Sequence, residues 1–273
     1  MTVAEAIRAA AERLSETTDT ARIDAELLMA HALGVSRSDM LLRHTADSAP
    51  AIYDELIESR ARHEPVAYIT GAQEFFGREF IVTPDVLIPR GDSEVLVDVA
   101  LELAPDAKRV LDLGTGSGCL LISALAELPE AEGVGIDASL AATAVAAANA
   151  ARLGVADRAH ILHASWRADD WAADLGGFDL IVCNPPYVET TADLDPDVRE
   201  YEPSSALFAG SDGLDDYRIL IPQIRPLMRD NSIALFEIGA SQAREVFEIA
   251  KENGFEAQIR PDLAGRDRVA ILT

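Results

Sequence analysis

The sequence has few positive charges and no long apolar run. Only Lys108 and Lys251 are lysines, and 47 acidic residues against 23 lysines and arginines give a formal net charge of −24. No segment is basic enough to follow a phosphate backbone, which argues against direct nucleic-acid binding. No stretch approaches the roughly 18 consecutive apolar residues of a membrane span, so we expect no membrane segment.

Cysteine is also scarce. The two cysteines, Cys119 and Cys183, lie in apolar surroundings, which is typical of small core residues in a reducing compartment. The segment that begins at Met1 has neither the basic cluster nor the apolar run of a secretory signal. We therefore expect a cytoplasmic protein. The five histidines show no metal-ligand spacing, so we expect no metal site.

From residue 108 onward, short β-type runs alternate with helical segments. Strands are predicted at 109–113, 132–136, 159–163, 178–183, 233–238, 256–260 and 269–272. Helices are predicted at 94–103, 117–128, 140–153, 214–228 and 241–253, with Asp92 or Ser93 capping the first of them. This alternation predicts an α/β domain with a mainly parallel sheet, whose ligand crevice lies at the carboxyl ends of the strands.

The first 65 residues have apolar positions at helical spacing and no residues that suggest chemistry. Helices are predicted near 4–14, 20–33 and 50–62, with a short helix after Ser36. Aromatic and β-branched residues flank Gly77, which predicts a β-hairpin. We therefore predict a helical domain over 1–65, a hairpin linker over 66–90 and an α/β domain over 91–273. Packing and partner recognition remain alternative roles for the helical domain.

The segment over 178–187 combines a predicted buried strand with an abrupt polar end. The strand stops at Asn184-Pro185-Pro186-Tyr187, where two prolines lack amide protons and have fixed φ. The expected loop presents the Asn184 carboxamide, the Pro185 carbonyl and the Tyr187 ring. Two acceptors beside an aromatic face suit a planar NH2 group, the target of amino-methyltransferases. A strand end with a tight proline turn is the alternative.

A glycine-rich loop over 114–118 follows the first strand of the α/β pattern. Its glycines allow the backbone to turn sharply and to approach a ligand at a helix N-terminus. The spacing Gly-x-Gly-x-Gly differs from the dinucleotide fingerprint Gly-x-Gly-x-x-Gly. Asp112, just before the loop, would repel a pyrophosphate but attract an ammonium or a sulfonium. S-adenosylmethionine carries both of these cations.

Two further residues suit a nucleoside. Asp137 ends the next strand, where a carboxylate can accept hydrogen bonds from both ribose hydroxyls. A tight βα turn with an exposed aspartate is the alternative. Trp166 follows the third strand and can stack near an adenine, although a lone tryptophan is more often a core residue.

Taken together, these motifs resemble those of class I S-adenosylmethionine-dependent methyltransferases. Finer matches at 68–71, 87–90, 198–203, 212–214 and 262–268 resemble the peptide chain release factor glutamine methyltransferase (HemK/PrmC) family over essentially the whole chain. The resemblance implies a seven-stranded, mainly parallel, Rossmann-like sheet with a small N-terminal helical bundle joined by a β-hairpin. The chain departs from the family pattern at Gly91, where proline is usual, and at Ser165, where aspartate is common.

The resemblance implies methyl transfer from S-adenosylmethionine to the glutamine side-chain amide in the Gly-Gly-Gln motif of peptide chain release factors. It implies catalytic roles for Asn184, Pro185 and Tyr187, and substrate contacts by the whole segment Asn184, Pro185, Pro186 and Tyr187. The implied cofactor-binding residues are Gly114, Thr115, Gly116, Ser117, Gly118, Asp137, Trp166 and Asn184.

Three rival functions fit the sequence less well. An adenine-N6 nucleic-acid methyltransferase shares Asn-Pro-Pro-Tyr, but the acidic composition and the lack of a basic target-recognition domain weigh against it. A cofactor-binding protein without catalysis would have no need for the Asn184 loop. The glycine spacing and Asp112 weigh against an NAD-dependent oxidoreductase.

Overall fold

A computed structural model describes all 273 residues, which divide into two compact units. Unit 1 comprises Met1–Ala72 and Leu194–Tyr201, and unit 2 comprises Gln73–Asp193 and Glu202–Thr273. Helices α1–α11 span Val3–Leu14, Ala21–Leu33, Arg37–Asp39, Tyr53–Ala61, Val66–Thr70, Glu94–Leu103, Cys119–Glu127, Leu140–Arg152, Pro196–Tyr201, Asp215–Ile224 and Ala243–Glu252. Strands β1–β9 span Ala72–Phe75, Arg78–Ile81, Arg109–Leu113, Glu132–Asp137, Ala159–His163, Phe178–Cys183, Met228–Glu237, Ala257–Pro261 and Asp267–Leu272.

Unit 1 is helical and has its own apolar core. Helices α1, α2 and α4 bury residues such as Leu14, Leu28 and Tyr53 between them, and the Tyr53 hydroxyl donates a hydrogen bond to a carbonyl of α2. The buried Arg60 guanidinium pairs with Asp24 at 2.7 Å. Helix α9, which the sequence did not predict, belongs to this unit. Within the unit, the Tyr201 hydroxyl donates to the carbonyl of residue 62, 2.7 Å away.

Unit 2 contains a seven-stranded sheet in the order β5-β4-β3-β6-β7-β9-β8. Strands β3 to β7 are parallel, whereas β9 runs antiparallel to both β7 and β8. Along the chain, β4 and β5 are added in turn on one side of β3, and β6 is then added on the other side of β3. The carboxyl ends of β3 and β6 therefore flank the point where the strand order reverses, and a ligand crevice is expected there.

Both faces of this sheet are covered, as a parallel sheet requires. Along β6, Leu180 and Val182 pack on one face with helices α6 and α7, while Ile181 and Cys183 pack on the other with α10 and α11. This alternation explains why the sequence of β6 is a continuous apolar run.

The hairpin of β1 and β2 joins the core of unit 2. Phe75 and Phe80 are fully buried there in edge-to-face contact, with ring centroids 6.2 Å apart. The buried Asn149 side chain of α8 exchanges two hydrogen bonds with the backbone of Ile81 and donates a third to the Ser117 carbonyl. This one carboxamide thus connects the hairpin to the glycine loop. The residues just before the hairpin form helix α5.

The predicted cap of α6 is wrong. A 3-10 turn over Gly91–Ser93 continues the helix backwards, so Ser93 has helical backbone angles and makes no side-chain cap bond. An N-cap needs an extended backbone to direct its side chain at the free amides. The Asp92 carboxylate instead accepts hydrogen bonds from Arg266 and Arg268.

No helix of the protein has the length and apolarity needed to cross a bilayer.

Candidate active site

The glycine loop leaves β3 with Gly114, Gly116 and Gly118 at φ values of 76°, 54° and 82°. The amides of Gly114 and Thr115 both donate to the carbonyl at position 136, at 2.9 Å, and so attach the loop to β4. A Cβ atom at Gly114 would lie 3.2 Å from Cη2 of Trp166. Glycine here allows the indole ring to lie directly against the backbone.

Asp112 is enclosed beneath this loop. Its side chain is 1% exposed and accepts a hydrogen bond from the Thr115 hydroxyl at 2.7 Å. Burial raises the pKa of Asp112 to about 7, and the Thr115 hydrogen bond partly opposes that shift. This carboxylate does not line the cavity, and its Oδ1 is buried without a hydrogen-bond partner. Its contact stabilises the loop.

Asp137 ends β4 beside the glycine loop. Its two oxygens accept hydrogen bonds from the amides of Gly116, at 2.9 Å, and Ser139, at 2.8 Å. The carboxylate is half-buried and lines the cavity. Asp137 therefore fixes the loop and also faces any ligand that the loop holds.

Trp166 is held at both ends of its ring. The six-membered ring lies against Gly114, and Nε1 donates to Oδ1 of Asp216 at 2.9 Å. The same Asp216 oxygen accepts a hydrogen bond from Arg167 at 2.7 Å. Trp166 packs partly on the apolar core and also lines the cavity, so the two roles considered from the sequence are compatible.

Asn184 follows the last residue of β6. Its side chain is half-buried, lines the cavity and has no hydrogen-bond partner within the chain. Pro185 and Pro186 are buried. The polar end of the Asn184 side chain is therefore available to a ligand.

These features surround one cavity of about 620 Å³ in unit 2, a volume typical of small-molecule sites. The sequence-predicted residues that line it are Gly114, Thr115, Gly116, Ser117, Asp137, Trp166, Asn184 and Pro186. The predicted residues that do not line it are Gly118, Pro185 and Tyr187. No group of three or more histidine, cysteine, aspartate or glutamate side chains is placed to hold a metal ion.

Two family models match the chain, the PrmC N-terminal domain over residues 5–71 and the methyltransferase small domain over residues 91–200. The release factor glutamine methyltransferase of Cereibacter sphaeroides is 42% identical in an alignment that covers 98% of this chain and 97% of the relative. The chain belongs to the release factor glutamine methyltransferase family. The member from Geobacter sulfurreducens is also 42% identical, over 92% of this chain and 89% of its own length.

The fold is shared more widely than the family. The hMettl16 catalytic domain, solved in complex with the MAT2A 3′UTR hairpin 6, has a TM-score of 0.58 at 16% identity, over 79% of this chain and 81% of that one. At that identity the likeness concerns the fold alone. The family resemblance and the class I methyltransferase fold that the sequence indicated are confirmed.

In this family member, Tyr187 is fixed from two sides. Its hydroxyl donates to Oε1 of Glu237 at 3.3 Å, and its carbonyl accepts from Nε2 of Gln242 at 3.0 Å. The same Gln242 nitrogen donates to the carbonyl of Gly213. Glu237 is 1% exposed, and burial raises the pKa of its carboxyl above the ordinary value. The loop after Asn184 is thus held by the last residue of β7 and by the segment that follows β7.

The family segment over 198–203 contributes Glu202, which fixes one wall of the cavity. Its buried carboxylate accepts from the amide of Ile88 at 3.1 Å and pairs with the Arg90 guanidinium. Arg90 itself lines the cavity. The sequence did not single out Glu202 because its partners lie more than 100 positions away in the chain.

Asp216 is the other site residue that the sequence did not indicate. It lies in the first turn of α10. Acidic residues are common there because they interact favourably with the helix dipole. Its contact with Trp166 depends on the fold, and no local pattern reveals it.

Proposed function

We propose that the protein methylates the glutamine side-chain amide in the Gly-Gly-Gln motif of peptide chain release factors, with S-adenosylmethionine as the methyl donor. The observation that carries this proposal is the Asn184 carboxamide, which has no partner in the chain and faces the same cavity as the glycine loop. The names of relatives that align along nearly the whole chain support the protein substrate. A cytoplasmic location is consistent with two free cysteines.

The residues around the cavity fit the methyl donor, which supplies an electrophilic methyl group when bound. Trp166 offers a flat apolar surface to the adenine, and the glycine loop offers backbone without side chains. Each Asp137 oxygen already accepts one amide proton and keeps a second lone pair for a ribose hydroxyl. The nucleoside half of the donor therefore has a partner for each of its main features.

The loop at Asn184 suits a carboxamide substrate. An amide nitrogen is a poor nucleophile because its lone pair is delocalised. The side-chain oxygen of Asn184 faces the cavity and can accept one N–H bond of the target. The carbonyl of Pro185 and the ring of Tyr187 belong to the same loop but do not line the cavity, so we propose that they meet the target beside it. Fixed acceptors orient the nitrogen and favour its pyramidalisation, so positioning is the main contribution of the chain.

The role of Asp137 predicts a loss of cofactor affinity on substitution. Asp137→Ala is expected to weaken S-adenosylmethionine binding by about 1.5–3 kcal/mol, since it removes a charge-assisted contact. Loss of the bond to the Gly116 amide adds to this effect. Calorimetric titration measures the change, with the exposed Asp157→Ala as the matched control. Unchanged affinity in Asp137→Ala would reject the ribose contact.

We further propose that unit 1 recognises the release factor. Ile23 and Leu27 lie four residues apart on α2, hence on one helix face, and are 50% and 38% exposed. Exposed apolar side chains spaced in this way are suited to contact with a partner protein.

A double substitution of this α2 face, Ile23→Glu with Leu27→Glu, tests the docking role. We expect KM for intact release factor to rise about tenfold or more, because charged side chains replace apolar contacts. S-adenosylmethionine affinity should remain unchanged. Leu103→Glu, at a comparably exposed leucine of unit 2, is the control. If the double variant methylates release factor with wild-type KM, this face of unit 1 does not contact release factor.

The substrate assignment is tested with the wild-type protein. Release factor and an adenine-containing duplex are incubated in parallel with labelled S-adenosylmethionine, and the products are analysed by mass spectrometry. One added methyl on the glutamine of Gly-Gly-Gln is expected. Preferential labelling of the duplex would favour the adenine-N6 alternative and reject the proposed substrate.

A further inference from the structure

Three carboxylates line the cavity, and they differ in how many of their oxygens are engaged. Asp85 is exposed and bonds to the Thr83 hydroxyl. Both oxygens of Asp137 accept backbone amides. Asp216 receives two hydrogen bonds, and both go to Oδ1. Its Oδ2 has no partner within the chain.

Burial distinguishes Asp216 from Asp85, which likewise has one oxygen without a partner, and from Asp137. Asp216 is 2% exposed, whereas the side chain of its only ionic partner, Arg167, is 54% exposed. A cation that is half in water compensates a buried carboxylate only partly, because solvent screens the pair. A buried charge with a free acceptor oxygen in a ligand cavity favours a second cationic or N–H partner.

We propose that Asp216 is a cofactor-binding residue and that its Oδ2 receives the α-ammonium group of the methyl donor. The inference rests on the proposed function only in taking S-adenosylmethionine as that donor. Asp112, the carboxylate that the sequence suggested for this charge, does not line the cavity. Its Oδ2 is paired with Thr115, and its unpaired Oδ1 is enclosed beneath the glycine loop. Asp137 is assigned to the ribose. Asp216 is the remaining buried carboxylate on the cavity wall.

The neighbours of Asp216 suit the amino-acid end of the donor. Arg167 and Asp216 stand side by side on the cavity wall with opposite charges. An α-amino acid carries an ammonium and a carboxylate on one carbon, so such a pair is complementary to it. The Nε1 bond to Oδ1 holds the Asp216 carboxylate against the Trp166 ring, so one aspartate positions the ring and faces the ligand with its other oxygen.

The test separates ammonium binding from mere anchoring of Trp166. Calorimetric titrations are made on the wild type and on Asp216→Asn, which keeps an acceptor oxygen for the indole but loses the charge. Two ligands are used, S-adenosylhomocysteine and its analogue with hydrogen in place of the α-amino group. For the wild type, we expect the analogue to bind about 10- to 100-fold more weakly, as for loss of a charge-assisted hydrogen bond. For Asp216→Asn, we expect a similar loss with S-adenosylhomocysteine and nearly unchanged affinity for the analogue.

Two results would overturn the proposal. Equal losses for both ligands in Asp216→Asn would show that Asp216 acts only by holding Trp166. Equal affinities of the two ligands for the wild type would show that no group of the protein binds the ammonium. That comparison uses only the wild-type protein, so it does not depend on the folding of a variant. None of these titrations involves release factor. Failure to methylate release factor alongside the expected binding pattern would therefore count against the proposed function alone.

Discussion

Replacing Asn184 with alanine is expected to slow methyl transfer to release factor by about 10²–10³, the usual cost of a group that acts on the transition state. The variant loses the one cavity-facing carboxamide of the Asn184 loop. Cofactor affinity should fall much less, because the glycine loop, Asp137 and Trp166 remain. Single-turnover methyl transfer and calorimetric titration measure the two effects separately.

Two further variants sharpen this prediction. Asn184→Asp retains an acceptor oxygen and should be less damaging than alanine if hydrogen bonding to the target amide dominates. Asn253→Ala, at an exposed asparagine of the same unit, controls for general effects of substitution. Near wild-type transfer by Asn184→Ala would remove Asn184 from the assigned role.

Substitution of Gly213 is expected to damage both stability and activity. Gly213 has a φ of 70°, and a Cβ atom there would lie 2.3 Å from the carbonyl oxygen of Tyr187 and 2.6 Å from Nε2 of Gln242. The backbone that follows Asn184 would have to move to admit it. We expect Gly213→Ala to lower the free energy of unfolding by about 2–5 kcal/mol, the sum of a left-handed backbone penalty and overpacking.

Gly254 provides a matched control. Its φ is 78°, and a Cβ atom there would meet nothing within 4 Å. Gly254→Ala should therefore lose only the backbone term, about 1–2 kcal/mol, and keep full methyl transfer. Urea unfolding and single-turnover rates of the two variants isolate the contact with Tyr187. If both variants lose the same free energy of unfolding, the contact between the added Cβ atom and Tyr187 does not destabilise the protein.

Local patterns in the sequence predicted the elements that build the α/β sheet. The central parallel strands β3, β4 and β6 are short apolar runs buried along most of their length, whereas the edge strand β5 is largely exposed. Positive φ favours glycine at three positions of the turn after β3. Helix α9 was not predicted because none of its residues is buried. Without an apolar face, its six residues have no helical period to detect.

The site was only partly predictable. Asp137 and Asn184 end strands, so their place at the sheet edge follows from local sequence. Asp216 and Glu202 act through partners 50 and more than 100 positions away, and only the folded chain brings them together. Asp112 shows the opposite case. Its position just before the loop suggested a ligand contact, but in the folded chain its side chain is buried and does not line the cavity.

The placement of helix α9 in unit 1 limits which segments can be exchanged between relatives. The chain enters unit 1 a second time at Leu194 and leaves it at Tyr201, between the Asn184 loop and the Glu202 anchor. A chimera that exchanges only the first 72 residues would separate Arg60 from Asp197 and residue 62 from Tyr201. An exchange of substrate specificity between relatives should therefore transfer both segments together. Insertions in the loop after Tyr187 are expected to be tolerated only where helix α9 can still pack within unit 1.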